Sequence, residues 1–149
     1  MGRVLIVNDS RFESMILKDL LSQLGYNVSI TDEYDAVKQV QSFSPNVVLA
    51  NYVMKDTFGD RLIEKIKSRN PEILCILTSN SIINRDSLKS KKVDAILKTP
   101  ASKEDMEGML NKLSSGSKTS VDGEIELNEI KDTMEKWKNR ISKKKQFTT

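Results

Sequence analysis

The polar side chains that could do chemistry stand directly after apolar runs. Val47-Val48-Leu49-Ala50 ends at Asn51, Val4-Leu5-Ile6-Val7 ends at Asn8-Asp9, and Ile73-Leu74-Cys75-Ile76-Leu77 ends at Thr78. Ala95-Ile96-Leu97 is followed by Lys98, Thr99 and Pro100. These runs read as buried strands of a parallel sheet, whose working site lies just past their carboxyl ends. Asn8, Asp9, Asn51, Thr78 and Thr99 are therefore the candidate site. All but Asp9 are neutral amides or hydroxyls, a cluster suited to hydrogen bonding. Histidine is absent, which excludes a histidine-based relay or metal site, and a single cysteine excludes an intramolecular disulfide. Cys75 lies within an apolar run and reads as a buried core thiol rather than a reactive one.

The elements that must position these residues follow from periodicity. Ser10 and Glu13 have capping-box spacing and open a helix with Phe12, Ile16, Leu20 and Leu24 on one face, ending at Gly25. Asn27 to Thr31 alternates like a half-exposed edge strand, and a short helix through Ala36, Val37 and Val40 stops at Ser44-Pro45. Leu62, Ile63 and Ile66 mark a third helix stopped near Asn70-Pro71. A weaker helix is expected around Ile82, Ile83 and Leu88. Ser102 and Asp105 cap a last one bearing Met106, Met109, Leu110 and Leu113. Five strands alternating with five helices imply a parallel α/β sheet with helices on both faces.

The loop Asn51-Tyr52-Val53-Met54-Lys55-Asp56-Thr57-Phe58-Gly59 resembles the phosphoacceptor loop of two-component response-regulator receiver domains. In that family an aspartate is followed three residues on by Met-Pro and eight on by Gly. Met54 and Gly59 are in register, whereas Asn51 replaces the aspartate and Lys55 the proline. The resemblance covers residues 3 to 113 and implies a flavodoxin-like (βα)5 doubly wound sheet, strand order 2-1-3-4-5. It also implies site roles that this chain fills in part. Asn8-Asp9 matches the acidic pair that binds magnesium, Thr78 the phosphoryl-contacting hydroxyl, Thr99 the conserved lysine and Ile96 the aromatic switch. Pro100 holds the family's proline, which implies a cis Thr99–Pro100 bond. Lys98 falls one residue before the lysine position, which in an extended segment points it the other way.

A neutral amide is not the carboxylate nucleophile that forms an acyl phosphate. With Asp9 as the one remaining carboxylate, weak magnesium binding at most is expected, and no other cofactor. Asn8, Lys55, Ile96 and Thr99 depart together, so a single engineered change at Asn51 does not account for the pattern. The reading is a pseudo-receiver: a non-enzymatic, cytoplasmic signalling module that binds protein partners without phosphorylation. The resemblance places its partner face on the fourth helix, fifth strand and fifth helix, with Ile82, Ile83, Lys89, Lys91, Lys92 and Ile96. Two alternatives stay open: phosphorylation at another acceptor such as Asp56, and a small ligand in the former phosphoryl pocket.

The chain divides into a receiver-like domain at 1–113, a small, polar linker at 114–122 and a tail at 123–149. In the tail Leu127, Ile130, Met134, Trp137 and Ile141 form a seam along one side of an expected amphipathic helix, with acids early and lysines late. It either folds back on the domain or binds a partner, a second copy included. The net charge of +3 is too small to argue for nucleic acid. No apolar run approaches the roughly 18 residues of a membrane span, and Met1-Gly2-Arg3 leads directly into a strand rather than a signal sequence.

Overall fold

The structure, a computed structural model, describes residues 2–114. Five strands, β1 (Arg3–Val7), β2 (Asn27–Thr31), β3 (Val47–Asn51), β4 (Leu74–Ser79) and β5 (Ala95–Lys98), form one sheet in the order β2-β1-β3-β4-β5. Every strand pair is parallel. Four helices connect and flank them: α1 (Arg11–Gln23), α2 (Ala36–Phe43), α3 (Gly59–Arg69) and α4 (Lys103–Ser114). This is the expected doubly wound order. The amphipathic seam expected at 127–141 lies outside the described residues.

The strand interiors are buried on both faces because their residues alternate sides and both sides carry helices. Leu5, Val7, Val48, Ala50, Cys75 and Leu77 pack with Val40 of α2 and Leu62, Ile63 and Ile66 of α3 in one cluster. On the opposite face α1 and α4 contribute Leu17, Leu21, Met106, Leu110 and Leu113, all buried.

Two helical expectations need correction. In α1 the buried residues are Ser14, Leu17 and Leu21, whereas Phe12 is 78% exposed and Ile16 is also exposed. The expected face is rotated because Ser14, a small polar residue, occupies the inward row and satisfies its hydroxyl on Ser10 O at 2.7 Å. Between β4 and β5 the expected helix through Ile82, Ile83 and Leu88 is absent. The sole helical piece there is a single 3-10 turn at Arg85–Ser87.

Long-range anchors explain that connection. Lys89 N–H donates to Asp60 Oδ2 at 2.6 Å, and Ser90 Oγ donates to Glu64. Lys92 Nζ reaches Ser68 Oγ at 3.1 Å and Glu64 at 3.4 Å, all on α3. The Arg85 guanidinium donates to Val93 O. The backbone is drawn to α3 by its partners, which outweighs the weak helical pattern.

Candidate functional site

The carboxyl ends of the strands are brought together by the parallel register. Val7 lies opposite Ala50, so Asn8 follows β1 beside Asn51, and Asn51 lies opposite Thr78. Thr78 is opposite Leu97, and Thr99 N–H donates to Ser79 O at 2.8 Å. The Thr99–Pro100 peptide bond is cis. Thr99 is buried and Lys98 exposed, so the inward position at the end of β5 belongs to a hydroxyl.

Several polar groups at these strand ends already have work within the protein, although the buried Asn8 Nδ2 has no hydrogen-bond partner among the described residues. Asn51 Nδ2 donates to Val53 O at 2.9 Å. Asn8 Oδ1 accepts from Ser10 N–H at 2.9 Å, fixing the turn into α1, where Ser10 Oγ caps Glu13 N–H at 3.2 Å. The Glu13 side chain accepts instead from Thr99 Oγ1 at 3.4 Å. Asp9 Oδ2 accepts from Lys55 N–H at 2.9 Å, which ties the β1 end to the β3–α3 loop. Among the described residues there is no group of three or more His, Cys, Asp or Glu placed to hold a metal ion.

The loop after β3 is held from beneath by Gly59. Its N–H donates to Tyr52 O at 2.7 Å, and a Cβ at this position would lie 2.2 Å from Asn51 O. Backbone therefore meets backbone where α3 begins, and no side chain fits between. The loop's Asp56 turns away from Asn51. Its carboxylate accepts from the Tyr34 hydroxyl, and its N–H donates to Glu33 Oε2 at 2.8 Å. The Asp56 carboxylate holds the Tyr34 phenol up at about 12. Sequence reasoning did not single out Tyr34 or Glu33; both lie in the β2–α2 loop, and their partner is over 20 residues away in sequence.

The residues expected on the partner face separate by burial. Ile82 is 86% exposed, and Lys89, Lys91 and Lys92 are exposed. Ile83 and Ile96 instead pack partly buried against the core cluster, so neither is offered freely to a partner. Ile96 is aliphatic and lies against the core. The helix expected to carry Ile82 and Ile83 is replaced by the strapped connection described above.

The sequence profile of the response regulator receiver domain matches residues 4–111. Over 101 residues the chain is 30% identical to chemotaxis protein CheY of Thermotoga maritima, spanning 64% of this chain and 84% of that protein. Among solved structures, a CheY-like receiver domain protein from Methanospirillum hungatei has a TM-score of 0.70 at 21% identity, covering 78% of this chain and 96% of that one. The response regulator TrrA of Thermotoga maritima, solved in complex with Mg2+-BeF, has a TM-score of 0.70 at 22% identity, covering 76% and 99%. No described helix is long and apolar enough to cross a membrane.

Proposed function

The chain belongs to the response regulator receiver domain family of two-component signalling, and from that premise we propose that it signals without aspartyl phosphorylation, by binding protein partners in the cytoplasm. The carrying observation is Asn51 at the carboxyl end of β3. Its side chain is neutral, and its amide nitrogen is committed to Val53 O. An amide at the acceptor position forms no acyl phosphate.

The surrounding residues support the same reading. Magnesium favours several charged oxygens, and at these strand ends Asp9 is the one carboxylate, with an oxygen engaged by Lys55 N–H. The residues present do not fit a magnesium site. Thr99 offers no ammonium to a phosphoryl oxygen. Asp56, the nearest other carboxylate on the loop, is held by Tyr34 and reads as a structural acid. Ile82, Lys89, Lys91 and Lys92 on the β4–β5 connection are the accessible part of the partner face.

Magnesium, then acetyl phosphate or beryllofluoride, is added to the isotope-labelled full chain while amide resonances are followed. The expected result is no saturable change at Asp9, Asn51 or Thr78 up to about 10 mM magnesium, ordinary receiver chemistry requiring the missing carboxylates. In the native host, Asn51→Ala retains signalling while Ile82→Asp with Lys89→Glu loses it. Saturable shifts that spread into the β4–β5 connection, or a phosphate mapped to Asp56, would overturn the proposal.

A further inference from the structure

Charge is segregated along the chain. Residues 61–98 carry nine lysines and arginines against four acids, whereas residues 2–60 carry five against eight. The basic part is α3 together with the β4–β5 connection. On α3 Arg61, Lys65 and Arg69 stand at i, i+4 and i+8, all exposed and about 6 Å apart along the helix axis. Asp60, Glu64 and Ser68 each precede one member of that row, and they are the residues that bond Lys89, Ser90 and Lys92 of the connection. The exposed Lys89, Lys91 and Lys92 therefore run beside the row and extend it into one basic face.

The row does not serve the fold. Like charges at i, i+4 weaken a helix, and neither Lys65 nor Arg69 forms an ion pair among the described residues. Arg61 carries its guanidinium over the exposed Phe58 ring, 5.9 Å from the centroid. The connection is anchored at Lys89 by a backbone N–H and at Ser90 by a hydroxyl, so the ammonium groups of Lys89 and Lys91 are not needed to hold it. The nearby acids leave the face basic. Glu64 is engaged by Ser90 and Lys92, Asp94 by Lys67, and Asp60 is buried beneath Lys89 N–H. Asp86 and Glu72 stay exposed, the first on the 3-10 turn and the second past the end of α3. An anion lying along α3 relieves the repulsion between Arg61, Lys65 and Arg69.

We propose that this face docks an acidic helix of a protein partner, an inference that rests on the reading that the chain signals by binding protein. Carboxylates at i, i+4 and i+8 of such a helix repeat at the same spacing of about 6 Å and meet Arg61, Lys65 and Arg69 one for one. Lys89 and Lys91 flank the contact. Ile82, 86% exposed on the same connection, adds the apolar contact that a protein interface carries beside its charges. Asp86 disfavours a nucleic-acid strand or an anionic membrane, whose unbroken negative charge it repels, whereas a partner helix presents a neutral or basic residue to it.

The test is amide NMR on the full chain with an alanine-rich helical peptide that carries glutamate at every fourth position. An isomer with the same glutamates spread around the helix is the control, beside a DNA duplex and phosphatidylserine vesicles. Saturable shifts at Arg61, Lys65, Arg69, Lys89 and Lys91, with a Kd at or below about 1 mM at low salt, are expected for the first peptide. The isomer should bind at least about threefold more weakly. Lys65→Glu with Arg69→Glu should weaken binding at least about tenfold, whereas Lys18→Glu with Lys103→Glu, the same charge change on α1 and α4, should alter it less than about twofold. All four positions are exposed, and circular dichroism checks that each variant folds. Absence of saturation up to about 10 mM, shifts confined to other residues, equal binding of the isomer, or tighter binding of the duplex or the vesicles would overturn the proposal. The native host separates this inference from the reading beneath it. If Ile82→Asp with Lys89→Glu abolishes signalling while Lys65→Glu with Arg69→Glu leaves it intact, partner binding stands and the acidic helix on α3 falls.

Discussion

Substituting Gly59 by alanine tests how closely the start of α3 abuts β3. The added Cβ would lie 2.2 Å from Asn51 O, 2.9 Å from Asn51 C and 2.8 Å from Leu77 Cδ1. Two of these neighbours are backbone of the central strand, so a rotamer change cannot relieve them. Ordinary contact requires α3 to retreat by roughly 1 Å, because non-bonded heavy atoms settle near 3.5 Å. That retreat stretches the 2.7 Å bond from Gly59 N–H to Tyr52 O beyond useful length. Overpacking costs about 1–3 kcal/mol and the lost hydrogen bond about 1 kcal/mol. The helical preference of alanine over glycine returns about 0.5–1 kcal/mol. The net expectation is a destabilisation of about 2–3 kcal/mol, a Tm lower by roughly 8–12 °C in a domain of this size. Gly108 is the internal control. It lies inside α4 with nothing within 4 Å of its would-be Cβ, so Gly108→Ala should gain about 0.5–1 kcal/mol. Urea unfolding followed by circular dichroism reads both. If Gly59→Ala stays within about 0.5 kcal/mol of the parent while Gly108→Ala behaves as stated, the close approach of α3 to β3 is wrong.

Three further outcomes follow from the same packing. Asp94 bridges Lys67 Nζ at 2.6 Å and Cys75 N–H at 2.8 Å, with both charged side chains largely buried. Asp94→Ala should therefore cost about 3 kcal/mol in urea unfolding, and adding Lys67→Met should recover part of it by removing the stranded charge. Burial first, then the nearby Asp94, pushes the Cys75 thiol up to about 12. A disulfide exchange reagent near pH 8 should leave the native chain unlabelled and label it on unfolding, because attack requires the thiolate. A raised thiol favours the folded state most below the unfolded value of 9.0, and that contribution falls as pH climbs toward 12. Stability should thus decline over that alkaline window, and less steeply in Cys75→Ala. Tyr34 should titrate late in an ultraviolet pH titration, near 12, with Asp56→Asn bringing it back toward 10.0. Its raised value likewise favours folding below 10.0 and loses that effect as pH rises through about 12. Unchanged titration of Tyr34 in Asp56→Asn would count against the hydrogen bond between them.

The strands and the polar residues at their ends were legible in the chain because they depend on local pattern, and the strand order was implied by the receiver resemblance. An apolar run such as Val47 to Ala50 must be covered on both faces, and alternation with helices then leaves few topologies. The neutrality of Asn51, the inward Thr99 and the burial of Cys75 follow from residue identity and register alone. The face of α1 was misread because apolar content was taken as inward. Ser14 occupies the buried row by bonding its own helix, and Phe12 and Ile16 stay outside. The β4–β5 connection was misread because Ile82, Ile83 and Leu88 carry a weak helical spacing. What decides the segment is the Asp60, Glu64 and Ser68 side chains of α3, over twenty residues earlier in sequence. The surroundings of Tyr34 were likewise invisible, since Glu33 and Tyr34 of the β2–α2 loop bond Asp56 of the β3–α3 loop, over twenty residues away in sequence. Short-range burial and register were thus determined by the sequence itself, while side chains reaching across the fold decided the long connection and the bonds that hold Asp56, because such contacts have no local period to read.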